Sequence, residues 1–246
     1  MSARLRSHPS SLGLLNKKAG GLRPIAIGYV WRRLAAKCAN RSVLPKLVDY
    51  FRPIQLGVGI PGGCEAAVHA SRIFLQQLPD NYVLAKLDFA NAFNSVDRPR
   101  VLAEVSELAP EILNFCLLSY GSASKLKFGD FSVPSESGVQ QGDPLGPLLF
   151  CLAIHPILAS LRSDLIIGFL DDVTLGGLPI RWPQTFRDCP SQPATLASHS
   201  TSRSAKQFVL APYLSLTRLA PSSVPPPISQ LFWGPLSSAD PLWTKL

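Results

Sequence analysis

Apolar and polar positions change period several times along the chain, and the changes mark its elements. "LRPIAIGYV" reads as a short strand. "WRRLAAKCANRSVLPKLVDYF" reads as a helix, with Leu34, Cys38, Val43 and Leu47 near helical spacing and Arg32, Arg33, Lys37 and Arg41 on other faces. "GVGIPGG" is a glycine-rich loop, and "CEAAVHASRIFLQQL" a second helix, with Ala67, Ala70, Phe74 and Leu78 three to four residues apart. "YVLAKLDF" predicts a strand and "ANAFNS" a turn, and Asp97 is an N-cap for a helix over Arg98–Leu108. "KLKFGDFSV" predicts a hairpin turning at Gly129-Asp130. "SGVQQGDPLGPLLF" predicts a loop feeding a helix that Asp143 caps, with Pro144 first inside it. "PLLFCLAIHPILASL" is apolar all round and predicts a buried helix, kinked at Pro156. "DLIIGFLDDVTLGG" predicts a second hairpin.

The two ends have a different texture. Residues 1–21 read as a loose, basic lead-in. Beyond 178, Ser and Pro supply 22 of the last 68 residues and Glu is absent. No amphipathic period persists there, so residues 179–246 are expected to be irregular or disordered. Two origins stay open for that tail: a linker, or translation in a shifted frame.

Composition narrows the class. About 46% of the 246 residues are apolar, enough for a real core, and no apolar run reaches the ~18–20 residues of a membrane span. The start has no signal-peptide pattern, so an intracellular protein without a membrane is expected. Five scattered cysteines, with no CxxC, predict reduced and mostly buried thiols. Net charge is +8 and uneven: +10 over residues 1–53, −6 over 54–178 and +4 over 179–246. A basic arm on an acidic middle fits a polyanion held by one part while another gathers cations.

The acidic middle holds the candidate chemistry. Asp88 follows "VLAKL", and Asp171 and Asp172 follow "LIIGF", all at predicted strand ends or turns. Carboxylates converging from two adjacent strands raise one another's pKa unless a cation joins them. A lone Asp there is an ordinary turn or cap residue. A pair inside an apolar hairpin needs a stronger reason, because burying two carboxylates costs several kcal/mol. Mg²⁺ takes such oxygen ligands, and two ions about 4 Å apart activate an attacking 3′-hydroxyl and stabilise a leaving pyrophosphate.

Around these acids the sequence resembles the reverse transcriptases of retroelements, of the non-LTR type. Five segments carry the resemblance, in the family's order over about residues 17–177: "KKAGGLRPIAIG", "QLGVGIPGG", "KLDFANAFNSVDR", "SGVQQGDPLGPLLFCLAIHP" and "FLDDVTLGG". The resemblance implies an α+β right-hand polymerase, whose fingers and palm (residues 22–178) have an antiparallel palm sheet backed by helices. It implies an RNA-directed DNA polymerase that adds deoxynucleotides to a DNA primer on an RNA template. Asp88 and Asp171 would bind two Mg²⁺ ions, or Mn²⁺, with Asp172 in support. Phe89 would lend a backbone carbonyl, and Phe93 would gate against a ribose 2′-hydroxyl. Gln141 and Gly142 would line the nucleotide pocket, and Arg23 and Lys18 would grip the triphosphate. Gly57 and Gly59 would admit the template backbone, or serve simply as loop glycines.

The family's palm continues past the Asp-Asp hairpin with a lysine-bearing turn, a primer-gripping hairpin and a helical thumb. None is recognisable after residue 178, so a truncated domain with the thumb missing is expected. Two other readings remain. One is an inactive remnant that at most binds nucleic acid through its basic N-terminal third. The other is a viral-type RNA-dependent RNA polymerase, which usually has a second Asp five residues after the first, where this chain has Phe93.

Overall fold

The computed structural model describes residues 10–16, 21–77, 82–89, 91–178 and 212–217. Their order is β1 (Ser10–Asn16), β2 (Leu22–Ile27), α1 (Val30–Phe51), α2 (Gly63–Gln76), β3 (Val83–Phe89), α3 (Ala92–Ser95) and α4 (Arg98–Leu108). A 3₁₀ turn (Pro110–Ile112) then leads to α5 (Leu113–Tyr120), β4 (Ser124–Phe128), β5 (Phe131–Ser135), α6 (Gly146–Ala159), β6 (Leu165–Phe169), β7 (Asp172–Gly177) and β8 (Pro212–Thr217).

The strands form two four-stranded sheets. The first runs β2-β1-β4-β5 and the second β6-β7-β3-β8. Every pairing is antiparallel except β1 with β4, a short parallel contact at Ser10–Leu126 and Ser11–Lys127. The expected α+β architecture with an antiparallel palm sheet is what the chain builds.

Helix α6 is the hub. Ten of its fourteen residues are buried, from Gly146 to Leu158, so it is apolar all round rather than striped. One face of the second sheet packs on the helices: Ala85 and Leu87 of β3 and Val173 and Leu175 of β7 are fully buried. Period two then sends Lys86, the 88 position, Asp172 and Thr174 to the opposite face. Alternation thus gives this sheet a core side and an opposite side that is partly open to solvent at Lys86 and Asp172, though Thr174 is buried.

Several expectations are corrected. The lead-in contains a strand, because "SSLGLLN" finds backbone partners in β2, pairing Ser11 with Ile27 through Asn16 with Leu22. The tail expected to be irregular contains β8, which pairs with β3 from Leu84–Thr217 to Phe89–Pro212; the rest of residues 179–246 lies outside the described residues. Its "PYLSLT" alternates, and Pro212 occupies a first strand position, where a missing N–H is tolerated. Helix α1 buries Ala36, Val43, Leu47 and Phe51, whereas Leu34 and Cys38 are exposed. Cys64 is exposed too, and only Cys116 and Cys151 are buried among the described cysteines. Helix α6 starts at Gly146 with Pro147 in its first turn, so Pro144 lies outside it.

Candidate active site

Two strand ends and one turn assemble the acids. The β3–β7 register sets Asp88 directly across from Asp172, so both positions share the open face. The Asp88 side chain lies outside the described residues. Asp172 closes the β6–β7 hairpin by pairing with Phe169, which leaves Leu170 and Asp171 as a two-residue loop. Leu170 has φ +58°, in the left-handed region where a bulky residue is strained, while Asp171 does not. That sign pattern is the one hairpins of type II′ adopt, usually with glycine first. Both acids have partial solvent access. Lys86 Nζ lies 3.1 Å from Asp172 Oδ1 and offsets its charge. Burial first, and the Asp171 charge second, push the thiol pKa of Cys151 in α6 up. The donor set, carboxylates on a polar face, suits a hard cation. Among the described residues no three His, Cys, Asp or Glu side chains form a ready metal cluster.

The segment after β3 reaches the glutamine loop. Phe93 stacks on Phe150 of α6, with centroids 4.7 Å apart and planes at 26°. Its carbonyl accepts the Val139 N–H at 2.7 Å, and the Val96 carbonyl accepts the Gly138 N–H at 3.0 Å. Phe93 is therefore tied by its backbone to the loop bearing Gln141 and Gly142. Phe89 is buried at the end of β3. The first sheet meets the same loop: the Ala26 N–H donates to the Gln141 carbonyl at 2.6 Å. Gly142 has φ +106°, and a Cβ there would lie 2.7 Å from the Ala26 carbonyl oxygen. What approaches this glycine is strand β2. Arg23 is exposed on β2, about 10 Å along the strand from that contact. Lys18 lies outside the described residues.

A buried polar network, not foreseen from the sequence, fixes this loop. Asp143 does not cap α6. Its Oδ1 accepts the Leu145 N–H at 3.0 Å, and its Oδ2 accepts the Tyr120 hydroxyl at 2.6 Å and Arg32 Nη2 at 3.3 Å. Burial, then the Asp143 charge, raise the Tyr120 pKa well above its ordinary value. Gln140 joins Ser10 of β1, Ser124 of β4 and Ser135 of β5 through contacts of 3.3–3.5 Å. Arg98 reaches the Gly138 carbonyl at 2.8 Å and both the carbonyl and hydroxyl of Ser135 at 2.9 Å. The sequence signal for Arg98 was only a basic residue at the first position of a capped helix.

Gln55 was also missed. It is fully buried, and its side chain hydrogen-bonds the backbone of Leu170. In "RPIQLGVG" it stands as a single polar residue between apolar neighbours, which is a weak signal. Gly57 and Gly59 face protein rather than an open groove. A Cβ on Gly57 would lie 2.5 Å from the Leu170 nitrogen, and one on Gly59 2.8 Å from a Leu44 methyl.

The family model described as "Reverse transcriptase (RNA-dependent DNA polymerase)" matches residues 15–177. The chain is 32% identical, over 185 residues, to the retrotransposable element SLACS 132 kDa protein of Trypanosoma brucei gambiense. That match takes in 71% of this chain but spans only 15% of the relative. Among solved structures, telomerase from Candida albicans, in complex with a fragment of telomeric RNA, matches with TM-score 0.55 at 12% identity. It covers 72% of this chain and 39% of that one. Telomerase from Candida tropicalis, also with a telomeric RNA fragment, matches with TM-score 0.51 at 13% identity, covering 69% and 36%. At these identities the structures speak for the fold.

Proposed function

The chain belongs to the reverse transcriptase (RNA-dependent DNA polymerase) family, and we propose that it carries the catalytic centre for adding deoxynucleotides to a primer 3′-hydroxyl on an RNA template. The observation that carries this reading is the register of β3 and β7, which faces Asp88 with Asp172 one residue from the Asp171 turn. Asp88, Asp171 and Asp172 would hold two Mg²⁺ ions, or Mn²⁺ in their place. When bound, such a pair supplies charge neutralisation at the attacking and leaving oxygens. Lys86 tempers the charge of Asp172 on the same face. Phe93, stacked against Phe150, would gate against a 2′-hydroxyl. Gln141 and Gly142 would line the nucleotide pocket, Phe89 would offer its carbonyl, and Arg23 with Lys18 would bind the triphosphate. The family's description as an RNA-dependent DNA polymerase supports an RNA template here.

Primer extension tests this directly, on poly(rA)/oligo(dT) with Mg²⁺, comparing the chain with Asp171→Ala. Extension by the wild type, lost in the variant, is expected. Extension that survives the substitution sinks the role of Asp171.

One observation favours a second reading, of nucleic-acid binding without turnover. Arg33, Lys37 and Arg41 are all exposed and four residues apart on α1, which makes a basic stripe suited to a phosphate backbone. Salt-sensitive RNA binding with no extension by the wild type would favour it over the first.

A further inference from the structure

We infer that Gln55 is a positioning residue of the Asp-Asp turn, holding the Leu170 backbone from which Asp171 projects. The inference rests on the polymerase reading for its consequence, though not for its geometry. A two-residue hairpin loop with a positive φ at its first residue favours glycine. This chain has leucine there, at φ +58°. Such strained backbone persists only where its surroundings over-determine it.

Gln55 supplies that constraint. Its Oε1 accepts the Leu170 N–H at 2.9 Å, and its Nε2 donates to the Leu170 carbonyl at 3.2 Å. One carboxamide thus takes both backbone groups of the strained residue, as a paired strand would. The same Oε1 accepts the Gly57 N–H at 3.1 Å, which fixes the side chain's own rotamer. Gln55 is 0% exposed, so these groups face no water that could replace them.

The flanking backbone completes the socket. The Gly168 N–H donates to the Ile54 carbonyl and the Leu56 N–H to the Gly168 carbonyl, both at 2.7 Å. Residues 54–56 therefore form a short parallel bridge to β6, one turn of chain beyond α1. Both glycines are needed for the fit. A Cβ at Gly168 would lie 2.9 Å from Gln55 Nε2, and one at Gly57 2.5 Å from the Leu170 nitrogen. Gln55, Gly57 and Gly168 together make a socket for the turn, sited away from the open face. Gln55 has no need to touch nucleic acid or nucleotide to set where the Asp171 carboxylate stands.

Two variants test the inference. Gln55→Met keeps the length and loses both hydrogen-bonding groups. Gln55→Glu keeps the shape, accepts from Leu170 and Gly57, and as a carboxylate cannot donate to the Leu170 carbonyl. Three quantities are measured: amide hydrogen exchange at Leu170 and Val173, Mn²⁺ affinity with Mn²⁺ alone as probe, and primer-extension kinetics. In Gln55→Met, Leu170 exchange should rise while Val173, inside the β3–β7 ladder, stays protected. Mn²⁺ affinity and kcat should each fall about 10–100-fold, with KM for primer–template nearly unchanged. Gln55→Glu loses only the bond to the Leu170 carbonyl, so Leu170 exchange should stay near native there while Mn²⁺ affinity and kcat fall as in the methionine variant, and it decides the matter if that variant does not fold. The inference is overturned if Leu170 exchange stays native in a folded Gln55→Met, if Leu170 and Val173 rise together, which marks a merely structural residue, or if Gln55→Glu keeps wild-type Mn²⁺ affinity. The exchange arm needs neither metal nor turnover. A wild type that extends no primer therefore overturns the polymerase reading while leaving Gln55 to be judged on Leu170.

Discussion

The two sheets are the same size and are held in opposite ways. The β6-β7-β3-β8 sheet is anchored by burial: Ala85, Leu87, Val173 and Leu175 are inaccessible and share one apolar core with α6, ten of whose fourteen residues are buried. The β2-β1-β4-β5 sheet exposes Leu15, Leu22, Ile27 and Phe131, burying only Ala26, Leu126 and Ser10 of its strands. Its link to the rest is polar, through Asp143, Arg32, Tyr120, Gln140 and Arg98. Burial is non-directional and tolerates small shifts. A buried polar network holds one geometry and fails when a member is lost. The acids stand on the sheet fixed by burial, while the loop expected to meet the nucleotide is fixed by hydrogen bonds.

Three substitutions sharpen that contrast. Leu149 is fully buried in α6, and Leu149→Ala should cost about 4 kcal/mol, seen as a lower urea midpoint with all probes moving together. If the first sheet kept its exchange protection in that variant, the view of α6 as common hub would fail. Asp143→Ala strands Arg32 and the Tyr120 hydroxyl, for a smaller loss of about 3 kcal/mol. Its signature should be local: faster amide exchange at Ala26 and along β1–β2, with the β3–β7 ladder still protected.

The smallest effect concerns pH. His155 of α6 is buried against Tyr50, with ring centroids 4.4 Å apart, and its Nδ1 has no partner. Burial lowers its pKa, so the fold prefers the neutral ring. The unfolded chain then takes up a proton near pH 6.5 that the folded chain resists. The stability this group contributes is complete above that pH and is lost as pH falls toward the depressed folded value. His155→Phe should flatten the fall in melting temperature between about pH 7 and 5. An unchanged slope would assign the acid sensitivity to other groups.

Much of the fold could be read from local pattern. The Asp97 cap is real: its Oδ2 accepts the Arg100 N–H at 3.1 Å, and α4 runs over Arg98–Leu108 as expected. The Gly129-Asp130 turn and the Phe169–Asp172 hairpin stand where alternation and turn residues put them. These features depend on neighbours within a few residues. The face of α1 was only partly legible, because Leu34 and Cys38 meet the helical period as well as Ala36 does, and only packing against α6 chooses among them. Asp143 next to a proline looked like a cap because nothing local announces Tyr120 and Arg32, 23 and 111 residues away.

By itself, the sequence determined the identities and spacing of the acids, the strand–turn–strand that carries two of them, and the family. Those follow from side-chain chemistry and short-range backbone preference. Tertiary structure alone decided that Asp88 faces Asp172, that β8 completes the second sheet, that β2 closes on Gly142, and that Gln55 reaches Leu170 across 115 residues. The reason is physical. A strand's alternation says which residues share a face but not which strand lies beside it, and a lone polar residue has no visible partner until burial makes one obligatory.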